Sequence, residues 1–499
     1  MTRYSLLSIL FFLLLFRIPV EAGPIRISSQ EEFDRLGERI LAELPLKKDV
    51  RIQIDSGLYF FREDHLALSG LSFPGATLTL SGEGAVLVGR DDHGSPPSFR
   101  NGFLDLENRR HHDAFSPVKK AGFWPMPVLL RKGVYRIPAR DEPDVSEADA
   151  VGMKLVLSQW FVGAVYDVVK VSRGYIYFRH VPYRTHMWSE LRLGRCLPRY
   201  MLFSPGKTKS AYACDAASFL SMEDARISSV VLDGLHFLGN GDGDRLLRFS
   251  GVEADSVVVR NCSFEGIRSR GILVERTDHF RLRNNLFRKG ALNQVFVDKT
   301  AGDARIEDNR FIENGLQMTN DPVLACRGSE FVVRNNLFQD FTYSAIGVGL
   351  HYTDTSGLVT SGVVEQNEIC MTEAFRKEPM RALIDGGSIY VATQNKAVTI
   401  RRNFIHDLSG PHGNRGIFGD DGVVNLHVCD NTVLNIDGGM AIDVRRALKI
   451  GRRRNSAIKR TNTGNWVRGN TYNGRMRAYI REDDPDSYVG DNVYLDDET

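Results

Sequence analysis

The sequence lacks the marks of several large protein classes. It has no P-loop, no Gly-x-Ser-x-Gly elbow and no dinucleotide-binding fingerprint, so nucleotide chemistry has no support. Its 64 Lys and Arg against 62 Asp and Glu leave a net charge of +2, which offers no global field for nucleic acid or a membrane surface. Only six cysteines occur, Cys196, Cys214, Cys262, Cys326, Cys370 and Cys429, and none has a Cys-x-x-Cys or Cys/His zinc spacing. No metal site and no cofactor are therefore expected. A structural calcium is the one ion left open, although the turn at Gly239-Asn240-Gly241-Asp242-Gly243-Asp244 lacks the ligand spacing of an EF-hand. Cys196 and Cys214 are close enough in sequence to suggest a local disulfide in an exported chain, whereas Cys262 and Cys429 read as small buried apolar residues.

Long apolar runs are also missing, apart from Leu6 to Phe16, which only Ser8 interrupts. Arg3 before that run and Val20-Glu21-Ala22 after it make residues 1–22 read as a secretory signal peptide cleaved before Gly23. The run is too short to span a bilayer comfortably. No Cys follows it to carry a lipid. The mature chain is expected to be secreted or periplasmic, with no membrane span, no nucleic-acid partner and a monomeric state.

What the sequence does contain is a repeat. A phrase of the form hydrophobic-polar-Asn-Asn-x-Phe recurs at Val259 to Phe264, Leu282 to Phe287, Ile306 to Phe311 and Val333 to Phe338. The steps between the closing phenylalanines are 23, 24 and 27 residues. Weaker copies end at Ile369, Ile405, Val433 and Tyr472, with Asn367, Asn403, Asn431 and Asn470 two places earlier. A fixed period in this range marks a solenoid whose rungs contact only their neighbours. Asn tolerates left-handed backbone angles at a sharp turn. Asn in successive rungs can also bond along the axis. The fold class expected is all-β, a parallel β-helix.

The rest of the chain is divided accordingly. Residues 23–102 carry a capping helix and the first rungs. Ser29-Gln30-Glu31-Glu32 opens that helix as a capping box, and Phe33, Leu36, Ile40 and Leu44 line one of its faces. Val50, Ile52 and Ile54 then alternate as a strand. The period is lost over 103–225, read as an inserted β-rich module. It resumes over 226–475, and 476–499 is read as a solvated tail.

The repeat resembles the right-handed parallel β-helix superfamily of pectate lyases and polygalacturonases, clearly over about residues 225–475. That superfamily mostly acts on polysaccharides, which makes a polysaccharide or oligosaccharide the implied substrate. Fold alone does not fix the reaction.

Two long rungs stand out, with steps of 31 residues from Phe338 to Ile369 and 36 from Ile369 to Ile405. Extra residues in a solenoid collect on one face, commonly the binding face. Around these rungs lie Leu383-Ile384-Asp385-Gly386-Gly387-Ser388-Ile389-Tyr390 and Arg415-Gly416-Ile417-Phe418-Gly419-Asp420-Asp421-Gly422. Glycosidic cleavage needs two carboxyl groups, one to protonate the leaving oxygen and one to attack the sugar or activate water. Adjacent rungs stacked about 4.8 Å apart would let such a pair meet.

The two segments resemble the motifs of β-helical glycosidases of fucosidase and xylosidase type, Asp-Gly-Gly-x-hydrophobic-Tyr followed one rung on by Gly-Ile-x-x-Asp-Asp/Glu-Gly. The resemblance implies catalytic roles for Asp385, Asp420 and Asp421. It also implies a site place for Ile405-His406-Asp407, where that group often has His-Asp. Gly419 departs from the pattern, since a bulkier residue is commoner there. If Ile389 and Ile417 align, Asp385 and Asp420 fall on opposite faces of a straight strand. They converge only if Gly386-Gly387 makes a corner, and otherwise the aspartates cap turns.

Substrate-binding candidates are His406, His412, Tyr390, Arg415 and Tyr352. His351 and His427 are further candidates for orienting groups, and Tyr343, Phe418 and Trp160 for sugar platforms, with core packing favoured for Phe418. The basic run Arg445 to Arg460 suits an acidic polymer but usually marks a solvated loop. Three readings follow: a glycoside hydrolase, a lyase using Arg381, Lys396 or Arg415 as base on uronate polymers, and a non-catalytic carbohydrate-binding solenoid.

Overall fold

The computed structural model describes residues 23–62, 64–89, 128–129, 134–138, 154–159, 162–179, 199–203, 218–239, 245–267, 270–290, 292–315, 321–349, 359–376, 386–409, 414–445, 462–480 and 484–496. The expected signal peptide and the cysteines Cys196 and Cys214 lie outside them.

The N-terminal end is closed by two short helices. Ser29, in extended backbone, caps Gln30–Asp34 by accepting a hydrogen bond from the Glu32 amide at 3.3 Å. Glu32 answers by accepting from Ser28 N at 2.8 Å, one residue earlier than a capping box requires. A second helix, Leu36–Glu43, follows directly. Phe33, Leu36 and Ile40 are fully buried, so the apolar stripe faces the first coil and shields its open end.

Each coil then contributes three short strands, as in Arg245–Ser250, Ser256–Arg260 and Ser263–Glu265. Each strand pairs in parallel with its counterpart one coil on: Arg248 with Leu273, Val259 with Leu282, and Phe264 with Phe287. The first two ladders merge into one 22-stranded sheet, because Ile389–Arg401 and Arg415–Cys429 run through the corner between them. The third ladder is a separate 12-stranded sheet.

The repeated phrase accounts for the interior. Phe264, Phe287, Phe311 and Phe338 stack with ring centroids 4.5 to 4.8 Å apart and planes within 9°. The two asparagines of the phrase do different jobs. The first takes the left-handed turn, with φ of 54° at Asn261, 56° at Asn284 and 55° at Asn335. The second is buried and hands its side-chain amide along the axis: Asn285 to Asn309, Asn309 to Asn336, Asn336 to Asn367 and Asn367 to Asn403, each at 2.9 or 3.0 Å. The ladder goes on through Asn431, Asn470 and Asn492. It satisfies buried backbone groups at a corner where sheet pairing is broken.

Ser72–Ser81 pairs directly with Arg226–Asp233, and Ala85–Gly89 with His236–Leu238. The solenoid is thus continuous across the segment where the sequence period is lost. Within that segment a separate six-stranded sheet forms by antiparallel pairing, from Val128–Leu129 to Arg199–Phe203. The solenoid resumes at Leu220, paired with Leu66, a few residues before the expected boundary at 226.

The tail expected after 475 needs a larger correction. Met476–Ala478, Tyr488–Gly490 and Val493–Tyr494 pair onto the three ladders and make a further coil. Its acidic residues read as solvated from the sequence, yet Asp484 accepts hydrogen bonds from Gly464 N at 2.7 Å and Ser487 Oγ at 2.5 Å. Among the described residues no helix is long and apolar enough to cross a membrane.

Candidate functional site on the outer face

Strands Ile389–Arg401 and Arg415–Cys429 align with Ile389 opposite Ile417, as the sequence suggested. Ile417 faces the core, so Phe418 and Asp420 face outward with Tyr390 beside Phe418. One coil further, Asp443 lies beside Phe418 and Arg477 beside Asp443. Four consecutive coils therefore set Tyr390, Phe418, Asp443 and Arg477 in one outward row.

Glycines make this packing fit. A Cβ on Gly387 would come within 2.7 Å of Phe418 Cβ. A Cβ on Gly419 would meet Val423 at 2.8 Å and Leu426 at 3.0 Å, which explains glycine where the resembling motif carries a bulkier residue.

Asp443 is fully buried and holds the row together. It accepts from Arg415 Nε at 2.7 Å, from Arg477 Nε at 2.7 Å and Nη2 at 2.8 Å, and from Arg445 Nε at 3.3 Å. Burial alone would raise its pKa, but the hydrogen bonds and charges of Arg477 and Arg415 outweigh it and hold the carboxyl below the usual range. Phe418 has no exposed surface, yet it is outside the solenoid core. Arg415 covers its ring at 4.0 Å, Arg445 at 4.7 Å, and Tyr390 meets it edge-on at 5.1 Å.

Asp420 sits at the rim of this cluster, 7% exposed. Its Oδ2 accepts the Tyr390 hydroxyl at 2.8 Å. Its Oδ1 receives no hydrogen bond, and Arg445 Nη1 stands 3.7 Å away. A buried carboxylate oxygen without a donor is uncommon and invites a ligand hydroxyl or a water.

The other sequence candidates fall in different places. Asp385, His412, Tyr352, His351, Arg381 and Trp160 lie outside the described residues. Asp421 lies in the same strand as Asp420, and its side chain is outside the described set. Arg415, expected at the substrate or as a lyase base, pairs with Asp443: its side chain is 8% exposed, and Nη1 donates to Gly386 O at 3.4 Å. Phe418, buried under two guanidinium groups, offers no sugar platform. Lys396 is exposed. His427 stacks on Trp466 at 5.1 Å. His406 is on the 12-stranded sheet, a different face, where its ring engages Asp407 at 2.8 Å and Glu368 at 3.4 Å rather than Asp420.

Asp443, Arg445 and Arg477 were not singled out for the site by sequence. The usable signal was Ile442-Asp443-Val444, an acid flanked by two residues that face the core. Arg445 belongs to the run read as a solvated loop; its partners include Asp443, Asp420 and Phe418.

Comparison with known proteins gives a match over residues 213–372 to the family described as "Right handed beta helix region". Comparison with curated proteins by sequence gives no match. Among solved structures, the A-module of mannuronan C-5 epimerase AlgE4 from Azotobacter vinelandii aligns at 12% identity and TM-score 0.46, covering 95% of this chain and 93% of that one. A glycoside hydrolase aligns at 11% identity and TM-score 0.40, covering 95% and 96%. The gp49 tailspike of Pseudomonas phage LKA1 aligns at 10% and TM-score 0.25, covering 92% and 76%. The strand pairing, with the family match over residues 213–372, gives this chain the fold of a right-handed parallel β-helix.

Proposed function

We propose that the chain is a carbohydrate-active enzyme that hydrolyses glycosidic bonds on the outer face around Asp420. The observation that supports it is the Asp420 carboxyl, nearly buried, oriented through Oδ2 by Tyr390 and left without a donor at Oδ1. Such a group can meet a sugar hydroxyl, an attacking water or the anomeric carbon. Hydrolysis needs a second carboxyl, and Asp385 and Asp421 are the partners proposed. A carboxyl separation of about 5 Å would go with retention, and one of about 6.5 to 9.5 Å with inversion. Tyr390 is a positioning residue that fixes Asp420. The fucosidase or xylosidase type, secretion, a monomeric state and hydrolysis that draws on no cofactor at Asp420 belong to the same proposal.

The test is turnover on a panel of aryl glycosides and polysaccharides, read as released aglycone and new reducing ends. Asp420→Asn should lower kcat by about 10²- to 10⁴-fold with an unchanged circular dichroism spectrum. Tyr390→Phe should lower it less. Full activity in Asp420→Asn would sink the assignment. Unsaturated, ultraviolet-absorbing products would make the enzyme a lyase. Saccharide binding without any turnover would make it a binding protein.

A further inference from the structure

A second group of chemically capable side chains lies on the 12-stranded sheet, away from Asp420. Strand Glu368–Cys370 and strand Phe404–Ser409 pair with Ile369 opposite Ile405 and Cys370 opposite His406. Both isoleucines are fully buried, so Glu368, Cys370 and His406 share the outer face. A carboxylate oxygen of Glu368, the Cys370 sulfur and a ring nitrogen of His406 lie within 4.8 Å of one another. We propose that these three residues bind a zinc-class divalent cation, with a solvent-facing fourth position.

Four observations carry the proposal. Carboxylate, thiol and imidazole together form a donor set suited to zinc. Asp407 Oδ2 is 2.8 Å from His406 Nδ1, the carboxylate-to-histidine contact that orients a ligating imidazole and leaves Nε2 as the donor. Nε2 then faces Glu368 Oε1 at 3.4 Å. A proton on Nε2 or a cation between the two atoms would bridge that contact. Asp407 is itself braced, since Asn435 Nδ2 donates to its other oxygen at 3.1 Å.

Metal bonds of about 2.0 to 2.3 Å at tetrahedral angles put donors roughly 3.3 to 3.8 Å apart, a range that the 3.4 Å between Glu368 Oε1 and His406 Nε2 already meets. Glu368 is 53% exposed, which leaves the fourth position to water. Binding a divalent ion through the Cys370 sulfur would release the thiol proton to solvent.

The probe is Co²⁺ added to the purified full-length chain, followed by Zn²⁺ competition. One ion should bind with a near-ultraviolet thiolate-to-cobalt charge-transfer band and visible bands of tetrahedral intensity. Cys370→Ser should abolish the charge-transfer band. Asp407→Asn should weaken affinity about 10- to 100-fold while keeping that band, a split that a mere surface carboxylate would not show. Should Cys370→Ser fail to fold, Glu368→Gln with His406→Gln serves instead and should weaken affinity at least tenfold. No thiolate band in the wild type, or a band unchanged in Cys370→Ser, overturns the site. Affinity unchanged in the Glu368→Gln, His406→Gln double variant overturns it as well.

Discussion

Replacing Asn336 tests the account of what holds the coils together. Its amide nitrogen donates to Ile306 O at 2.9 Å, Arg334 O at 3.0 Å and Asn367 Oδ1 at 2.9 Å. Its Oδ1 accepts from Asn309 N at 2.9 Å and Asn309 Nδ2 at 3.0 Å. Asn336→Ala leaves the buried Asn309 amide without its acceptor, at about 1 to 3 kcal/mol, and deletes hydrogen bonds worth about 1 kcal/mol each elsewhere. The bonds of the ladder are coupled, so their losses do not add independently. A loss of about 4 kcal/mol is expected, concentrated in the coils on either side. Asn336→Asp keeps the acceptor but turns a carboxylate oxygen toward three oxygens, so at neutral pH it should destabilise at least as much. Its deficit should shrink on acidification, as the carboxyl gains a proton to donate. Solenoids need not unfold as one unit, so the primary assay is native-state hydrogen exchange resolved by coil, with urea midpoints as support. A loss under 1 kcal/mol for Ala, or an Asp variant as stable as wild type at neutral pH, would refute the reasoning.

Two further perturbations test the outer row and the N-terminal end. Asp443→Asn removes the buried carboxylate that Arg415 and Arg477 share and should cost about 3 to 5 kcal/mol by urea denaturation, part of it recovered when Arg415→Met is added. His65 stacks on Phe33 at 4.5 Å, and Nε2 lies 3.1 Å from Phe33 O. Burial lowers its pKa from 6.5 to about 4. The unfolded chain therefore binds the proton first. The stability held above pH 6.5 falls as pH drops toward 4, by about 3 kcal/mol in full. Hydrogen exchange in the first coils should show this acid sensitivity, and His65→Gln should remove it; an unchanged pH profile in that variant would reject the role.

The core was legible because a solenoid repeats its demands. Phe264, Phe287, Phe311 and Phe338 occupy the same place in successive coils, so their spacing in sequence is the fold. The alignment of Ile389 with Ile417 followed from the same rule. The ion pair of Arg415 was not legible, because its partner Asp443 is 28 residues away and adjacent only through register. The tail misled because Asp484 and Asp486 look solvated. Nothing local announces that Asp484 will cap Gly464 in the neighbouring coil.

Register also explains why charged and aromatic groups gather on the outer row. The interior must repeat, since each Phe or Asn has to match the one stacked on it. Outward positions face solvent and are free to differ, so Tyr390, Phe418, Asp443 and Arg477 can follow one another in consecutive coils. Burying Asp443 among cations is not an economical way to stabilise such a scaffold, because apolar residues of similar volume commonly do as well or better. What the buried charges supply is position. Asp443 holds Arg415 and Arg445, both guanidinium groups lie on Phe418, and Phe418 fixes the edge of Tyr390, whose hydroxyl holds Asp420. Each link is braced by a coil that cannot shift without breaking the asparagine ladder behind it. An acidic group held this way loses little freedom on meeting a ligand, which is the property a reacting carboxyl needs.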